Sequence, residues 1–325
     1  MSGTHPMRST VIRLLLVTVI MTGLSARAEL DWVRVTTEFT PPKRDGHNMV
    51  YDIKNQVALA FGAYVGDRFQ PLHAYDGENW WPIEPSSDWP PSRLHFGMAY
   101  DASRDVVVVF GGFQGSADYL GDTWEWDGTQ WEEKFPVDSP EDRIDHAMTY
   151  VDSLGVTCMF GGYTESLSPS NELWVWDGSN WFDVTPYENP SPRGGMPIVY
   201  DSERDYVILF GGTEDGSSEL QDTWEWDGYQ WHQKSPIHSP PGKRRHMMVF
   251  DSHRNLTVLF GNVLYSPGGT SRETWEYDGI DWTEVFPAHR PTERSQTAGC
   301  FDSVRGRTII YGGYTWTGSN DETWE

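Results

Sequence analysis

Short runs of β-branched and aromatic residues recur along the chain, four or five residues long and closed by glycine, as at Val106–Phe110 and Val207–Phe210. Runs this short that end at glycine predict strands, because a helix needs a longer amphipathic stretch. A second pattern follows each run. Asp122–Trp131 reads DTWEWDGTQW and Asp222–Trp231 reads DTWEWDGYQW, with weaker copies at Leu173–Trp181, Thr274–Trp282 and His73–Trp80 and a broken one at Asp321–Glu325. Large residues alternate with small or polar ones and then turn at Asp-Gly, which predicts a hairpin.

These patterns keep a fixed phase. The tyrosine or phenylalanine before an acidic turn falls at Tyr51, Tyr100, Tyr150, Tyr200, Phe250 and Phe301, with successive gaps of 49, 50, 50, 50 and 51 residues. Ten residues after each anchor comes an aromatic with a glycine pair, and seven before it a basic residue: Arg44, Arg93, Arg143, Arg193, Lys243 or Arg294. Six copies of about fifty residues are therefore present, each supplying four strands, named A to D in chain order. Pro-rich connectors such as Pro85–Ser92 and Pro186–Pro192 separate them.

Phe-Gly-Gly at Phe110–Gly112, Phe160–Gly162 and Phe210–Gly212, with Trp126, Trp176 and Trp226 downstream, resembles the repeat of the kelch β-propeller family. The resemblance spans residues 29–325 and implies an all-β, six-bladed propeller of four-stranded antiparallel blades in a single domain. Ala63 and Asn262 replace the second glycine, which puts the bends of blades 1 and 5 in question. The strand D tryptophan stands 12 residues before the next basic residue in four copies, and counting 12 back from Arg44 reaches Trp32. The N-terminal segment is therefore expected to supply strand D of the C-terminal blade and close the ring, removing the free sheet edges. In this register Cys158 and Cys300 sit in blades facing each other across the axis, too far apart for a disulfide, and two buried free thiols are expected.

Arg8 and Arg13 flank and enter the apolar run Val11–Ile20, and Ala26-Arg27-Ala28 supplies a small-x-small site, so residues 1–28 read as a signal peptide cleaved before Glu29. No later segment is apolar enough to span a membrane as a helix. Removing Arg8, Arg13 and Arg27 leaves 21 basic against 48 acidic residues, a net charge of −27. Such a surface disfavours nucleic acid and anionic membranes while leaving cations and neutral sugars as ligands. The expected location is secreted, periplasmic or at the cell surface.

Strand direction puts the long, irregular B–C and D–A connections on one face, the expected binding face. The candidates there are Arg44, Arg93, Arg143, Arg193 and Arg294, which would ring the channel mouth and grip an anion or else pair with acids of adjacent blades. The aromatics Tyr64, Phe113, Tyr163 and Tyr314, each just after a glycine pair, would stack on a sugar or cap the packing between blades. His47, His146 and His246 recur in alternate blades, but strand side chains point at neighbouring blades, so interblade hydrogen bonding is expected and no metal. No nucleophile elbow, zinc-helix or phosphate-loop motif is present. The expected function is an exported noncatalytic binding propeller for a glycan or protein, without cofactor. The alternative is a sugar-active enzyme similar to the six-bladed kelch-type sialic acid mutarotases, for which Arg143, Asp145 and His146 form the densest cluster. Copper oxidases similar to galactose oxidase fit less well, since that resemblance implies seven blades, further domains and a Cys–Tyr cofactor. Oligomeric state and ligand identity are not legible.

Overall fold

The structure is a computed structural model that describes residues 30–65, 68–69, 71–115, 118–261 and 272–325, and of residues 64, 65, 68 and 69 the backbone alone. The expected leader and Asn262 lie outside the described residues. Residues Asp31–Glu325 form one compact unit, in which the described residues build six four-stranded antiparallel sheets. Blade 3 shows the plan: Ala147–Val151 (A), Val156–Phe160 (B), Leu173–Trp176 (C) and Trp181–Asp183 (D), paired in that order. The A strands of consecutive blades lie side by side around a channel. This is a six-bladed β-propeller.

The sixth sheet is shared between the chain ends. Ala298–Asp302, Arg307–Tyr311 and Thr323–Trp324 are joined by Arg34–Val35, with Arg34 opposite Trp324 and Val35 opposite Thr323. Val33 and Glu325 exchange both backbone hydrogen bonds, at 2.7 and 2.9 Å. Trp32 is buried against Phe260 of blade 5, with ring centroids 5.4 Å apart.

Between blades the tryptophans form a repeating joint. The strand D indole N–H donates to a strand C threonine of the preceding blade: Trp32 to Thr274, Trp80 to Thr323, Trp181 to Thr123 and Trp282 to Thr223, all 2.9–3.1 Å. The buried N–H groups of Trp131 and Trp231 have no acceptor. The repeat explains both, because the threonine position is Leu72 in blade 1 and Leu173 in blade 3. Trp226 is orphaned for a similar reason, since the acid that serves its equivalents, Glu125 for Trp176 and Glu225 for Tyr277, is Val175 in blade 3. Unsatisfied buried donors cost about 1–3 kcal/mol each, so the seam between blades 3 and 4 relies on its apolar packing, including Cys158, Leu173, Trp226 and Trp231. Cys158 and Cys300 are free and buried.

Ala63 takes the same left-handed bend as its glycine counterparts, φ +88° against +94° at Gly162 and +96° at Gly212. A β-carbon in that region is strained by about 1–2 kcal/mol, while glycine gives back about 0.4–1 kcal/mol through its freer unfolded chain. Ala63→Gly is therefore expected to stabilise by up to about 1 kcal/mol, raising Tm by about 1–3 °C. A lower melting temperature would mean that burial of the Ala63 methyl outweighs its strain.

Candidate functional site

The six basic residues do not reach the channel mouth. Each of Arg44, Arg93, Arg143, Arg193, Lys243 and Arg294 is buried because its side chain runs into its own blade, toward the start of strand C. Arg93 grips Asp122 with two bonds of 2.9 and 2.7 Å, and Arg193 grips Asp222 with 2.6 and 2.9 Å. Arg143 pairs with Glu172 at 2.6 Å, Lys243 with Glu273 at 3.0 Å and Arg294 with Glu322 at 2.5 Å. The partners are thus acids of the same blade, not of adjacent blades as expected. Four of the arginines also donate to the carbonyl of the first paired glycine: Gly111, Gly161, Gly211 and Gly312. Arg44 faces His73 Nδ1 at 3.0 Å instead. Burial lowers the Arg44 pKa to about 10, and burial together with the charge of Arg44 lowers His73 to about 4.

The channel mouth is built two residues further on, by Gly46, His95, Asp145, Gly195, Arg245 and Gln296. All six have positive φ, between +52° and +71°. Each donates its N–H to the carbonyl of its counterpart in the preceding blade: His95 to Gly46, Asp145 to His95, Gly195 to Asp145, Arg245 to Gly195, Gln296 to Arg245 and Gly46 to Gln296, at 2.6–3.4 Å. The result is a closed circle of six hydrogen bonds. Four non-glycine residues in the left-handed region are costly, and such strain concentrates at functional positions.

Asp145 stands between two nitrogen-bearing side chains of that circle, with Oδ1 3.2 Å from His95 Nδ1 and Oδ2 2.7 Å from Arg245 Nη2. Burial would raise its pKa, but the charges and hydrogen bonds of Arg245 and His95 prevail and hold the carboxyl well below the usual range. Two cavities meet at this carboxylate. One, of about 190 Å³, occupies the mouth and upper channel, and the other, of about 370 Å³, is a cleft lined by Tyr119, Asp145, Tyr163, Thr213, Arg244 and Arg245 among others. Tyr163 lies over Gly194, where no β-carbon would fit, and donates to Thr213 O at 2.9 Å. Arg244 donates to Gly216 O on the facing loop.

Of the cluster Arg143, Asp145 and His146, only Asp145 reaches the mouth. Arg143 is held by Glu172, and His146 is wedged against Phe110 of the preceding blade, where burial and the charge of Arg143 lower its pKa to about 3. The interblade hydrogen bonding expected of the three histidines is present at His146, 3.2 Å from Phe110 O, and at His47, which meets the Tyr311 backbone, while both ring nitrogens of His246 are buried without a partner. The post-glycine aromatics are carried beside the mouth by bridges such as Leu94 to Phe113 and Ser295 to Tyr314. Among these aromatics, Tyr163 lines the cleft, Phe113 packs on Tyr119 and Tyr314 is partly exposed. The side chain of Tyr64 lies outside the description. His95, Arg245, Gln296, Tyr119 and Arg244 were missed from sequence. Among the described residues no three His, Cys, Asp or Glu side chains converge to hold a metal ion.

No protein-family model matches the chain, and no curated protein does. Among solved structures, one titled "Structure of YjhT" is similar, with a TM-score of 0.69, 14% identity and coverage of 89% of this chain and 96% of that one. The likeness is one of fold. It extends over almost the whole of both chains, with too little identity to carry a site residue across.

Proposed function

We propose that the chain is an exported, noncatalytic propeller of the kelch type that binds a glycan on its long-loop face, in the cleft beside Asp145. The observation that carries this reading is the lining of the cleft. Two tyrosines offer amphipathic ring surface, and Asp145, Arg244, Arg245 and Thr213 supply charged and neutral hydrogen-bonding groups around a volume of about 370 Å³, within the usual range for small-ligand sites. Asp145 and Asp215 balance Arg244 and Arg245 there, which suits a ligand rich in hydroxyls better than a strong anion.

The depressed pKa of Asp145 favours binding over catalysis. A proton-transfer group works best with a pKa near the operating pH, and a carboxylate held far down is a fixed hydrogen-bond acceptor. The enzymatic alternative, a sugar-active protein similar to the sialic acid mutarotases, would need another base at the mouth. A glycan array probed with residues 29–325 tests the proposal. Asp145→Asn and Tyr163→Ala are each expected to weaken the bound glycan by at least about tenfold, the loss of one hydrogen bond to a charged group or one ring contact. Array binding untouched by both variants, or none at all, would refute the cleft as the site. Anomer exchange on any hit, followed by NMR, would instead favour the enzyme.

A further inference from the structure

Below the mouth the channel narrows to a waist of Met49, Met98, Met148, Ile198, Met248 and Gly299, which line both the upper cavity and the chamber beneath it. Met196 and Met247 line the upper cavity as well. Residues 30–325 contain seven methionines, so six of them face this one channel and only Met159 lies elsewhere. Leucine or isoleucine would plug a channel more rigidly, since methionine is the more flexible side chain. Methionine is chosen at four of the six waist positions.

The second observation is independent. His47, His146 and His246 stand two residues before Met49, Met148 and Met248, line the same cavity, and are each 5% exposed. Both ring nitrogens of His246 and Nδ1 of His146 have no hydrogen-bond partner, an uncompensated cost of about 1–3 kcal/mol per group. At Gly97 a β-carbon would overlap both Met148 Sδ and His146 Nε2, so that glycine leaves the thioether beside an imidazole whose Nε2–H donates to Phe110 O and whose Nδ1 is the nitrogen without a partner.

We propose that the channel waist is a binding site for a soft monovalent cation, Cu(I) or its redox-inert analogue Ag(I), held by methionine thioethers with imidazole nitrogen from the layer above. Thioether sulfur selects soft d¹⁰ ions over Mg²⁺ or Ca²⁺, and imidazole is compatible with the same ions. The waist presents no carboxylate for a hard cation, and the acids in the two linings are Asp145 at the mouth and Asp152 in the chamber beneath. The strongly acidic protein as a whole draws cations toward it. This inference uses the channel and not the cleft, and stands whether or not a glycan binds.

The test is ¹³C-methyl-methionine NMR of residues 29–325 titrated with silver nitrate in chloride-free buffer. One equivalent is expected to shift the methyl signals of the waist methionines, assigned through single Met→Leu variants, and to leave Met159 unmoved. Met98→Leu/Met148→Leu, which conserves volume and so keeps the fold, is expected to bind Ag(I) at least the 10–100-fold more weakly that even an outer-shell loss produces. Waist signals that do not move in the wild-type protein would overturn the proposal, as would a shift confined to Met159 beside the thiol of Cys158.

Discussion

Arg193→Met is expected to destabilise the propeller by about 3 kcal/mol or more, the cost of leaving one member of a buried ion pair alone. Arg193 is buried, and the Asp222 carboxylate it grips is mostly covered, with 21% side-chain exposure. The remaining solvent access at Asp222 places the figure at the low end of the range. Burial alone would raise the pKa of Asp222, yet the hydrogen bonds and charge of Arg193 lower it. A carboxyl depressed in the folded state contributes stability that is present above its unfolded value of 3.8 and lost as pH falls through the folded value. The gap between wild type and variant should therefore narrow on acidification below the ordinary carboxylate range. Chemical denaturation at pH 7 and pH 3 measures both quantities. Arg193→Met/Asp222→Leu should recover most of the loss, because an apolar pair leaves no charge stranded. A single variant as stable as wild type would mean that the pair contributes nothing to the blade.

Trp32→Ala is expected to cost about 3–5 kcal/mol, the usual range for a buried tryptophan. Its indole fills the seam against Phe260 and its N–H bonds Thr274, 242 residues away in sequence. The loss should be read as a lower denaturant midpoint. Strand Arg34–Val35 is only two residues long, so the tryptophan anchors it more than the ladder does. A cost below about 1 kcal/mol, the scale of a surface substitution, would mean that ring closure does not depend on this joint.

The architecture was legible because each copy repeats the same hydrogen-bonding problem. Trp32 could be placed by counting 12 residues back from Arg44, since the joint it makes is the one Trp181 and Trp282 make elsewhere. The partners of the arginines were also in the sequence, as Asp122, Glu172, Asp222 and Glu322 recur 28 or 29 residues downstream. They were assigned to the wrong blades because spacing gives an offset and not a side-chain direction. The mouth was hidden for a different reason. Gly46, His95, Asp145, Gly195, Arg245 and Gln296 share no chemistry, and the common left-handed backbone shows why their one place in the repeat forms the mouth. A fixed place in the repeat that varies among fixed neighbours was the signal available, and it points to where blades carry individual roles.

The circle of hydrogen bonds at the mouth has a vectorial consequence. Six N–H to C=O dipoles run head to tail around the axis, and vectors arranged tangentially around a closed ring sum to zero. Unlike a helix terminus, whose aligned dipoles leave a net partial charge, the circle contributes no in-plane moment to whatever enters the channel. The potential at the entrance is therefore written by side chains alone: one carboxylate, one guanidinium, one imidazole, one amide and two blanks. Because the backbone bonds are indifferent to those six identities, a single exchange there can reverse the sign of the entrance while the ring that holds it stays intact.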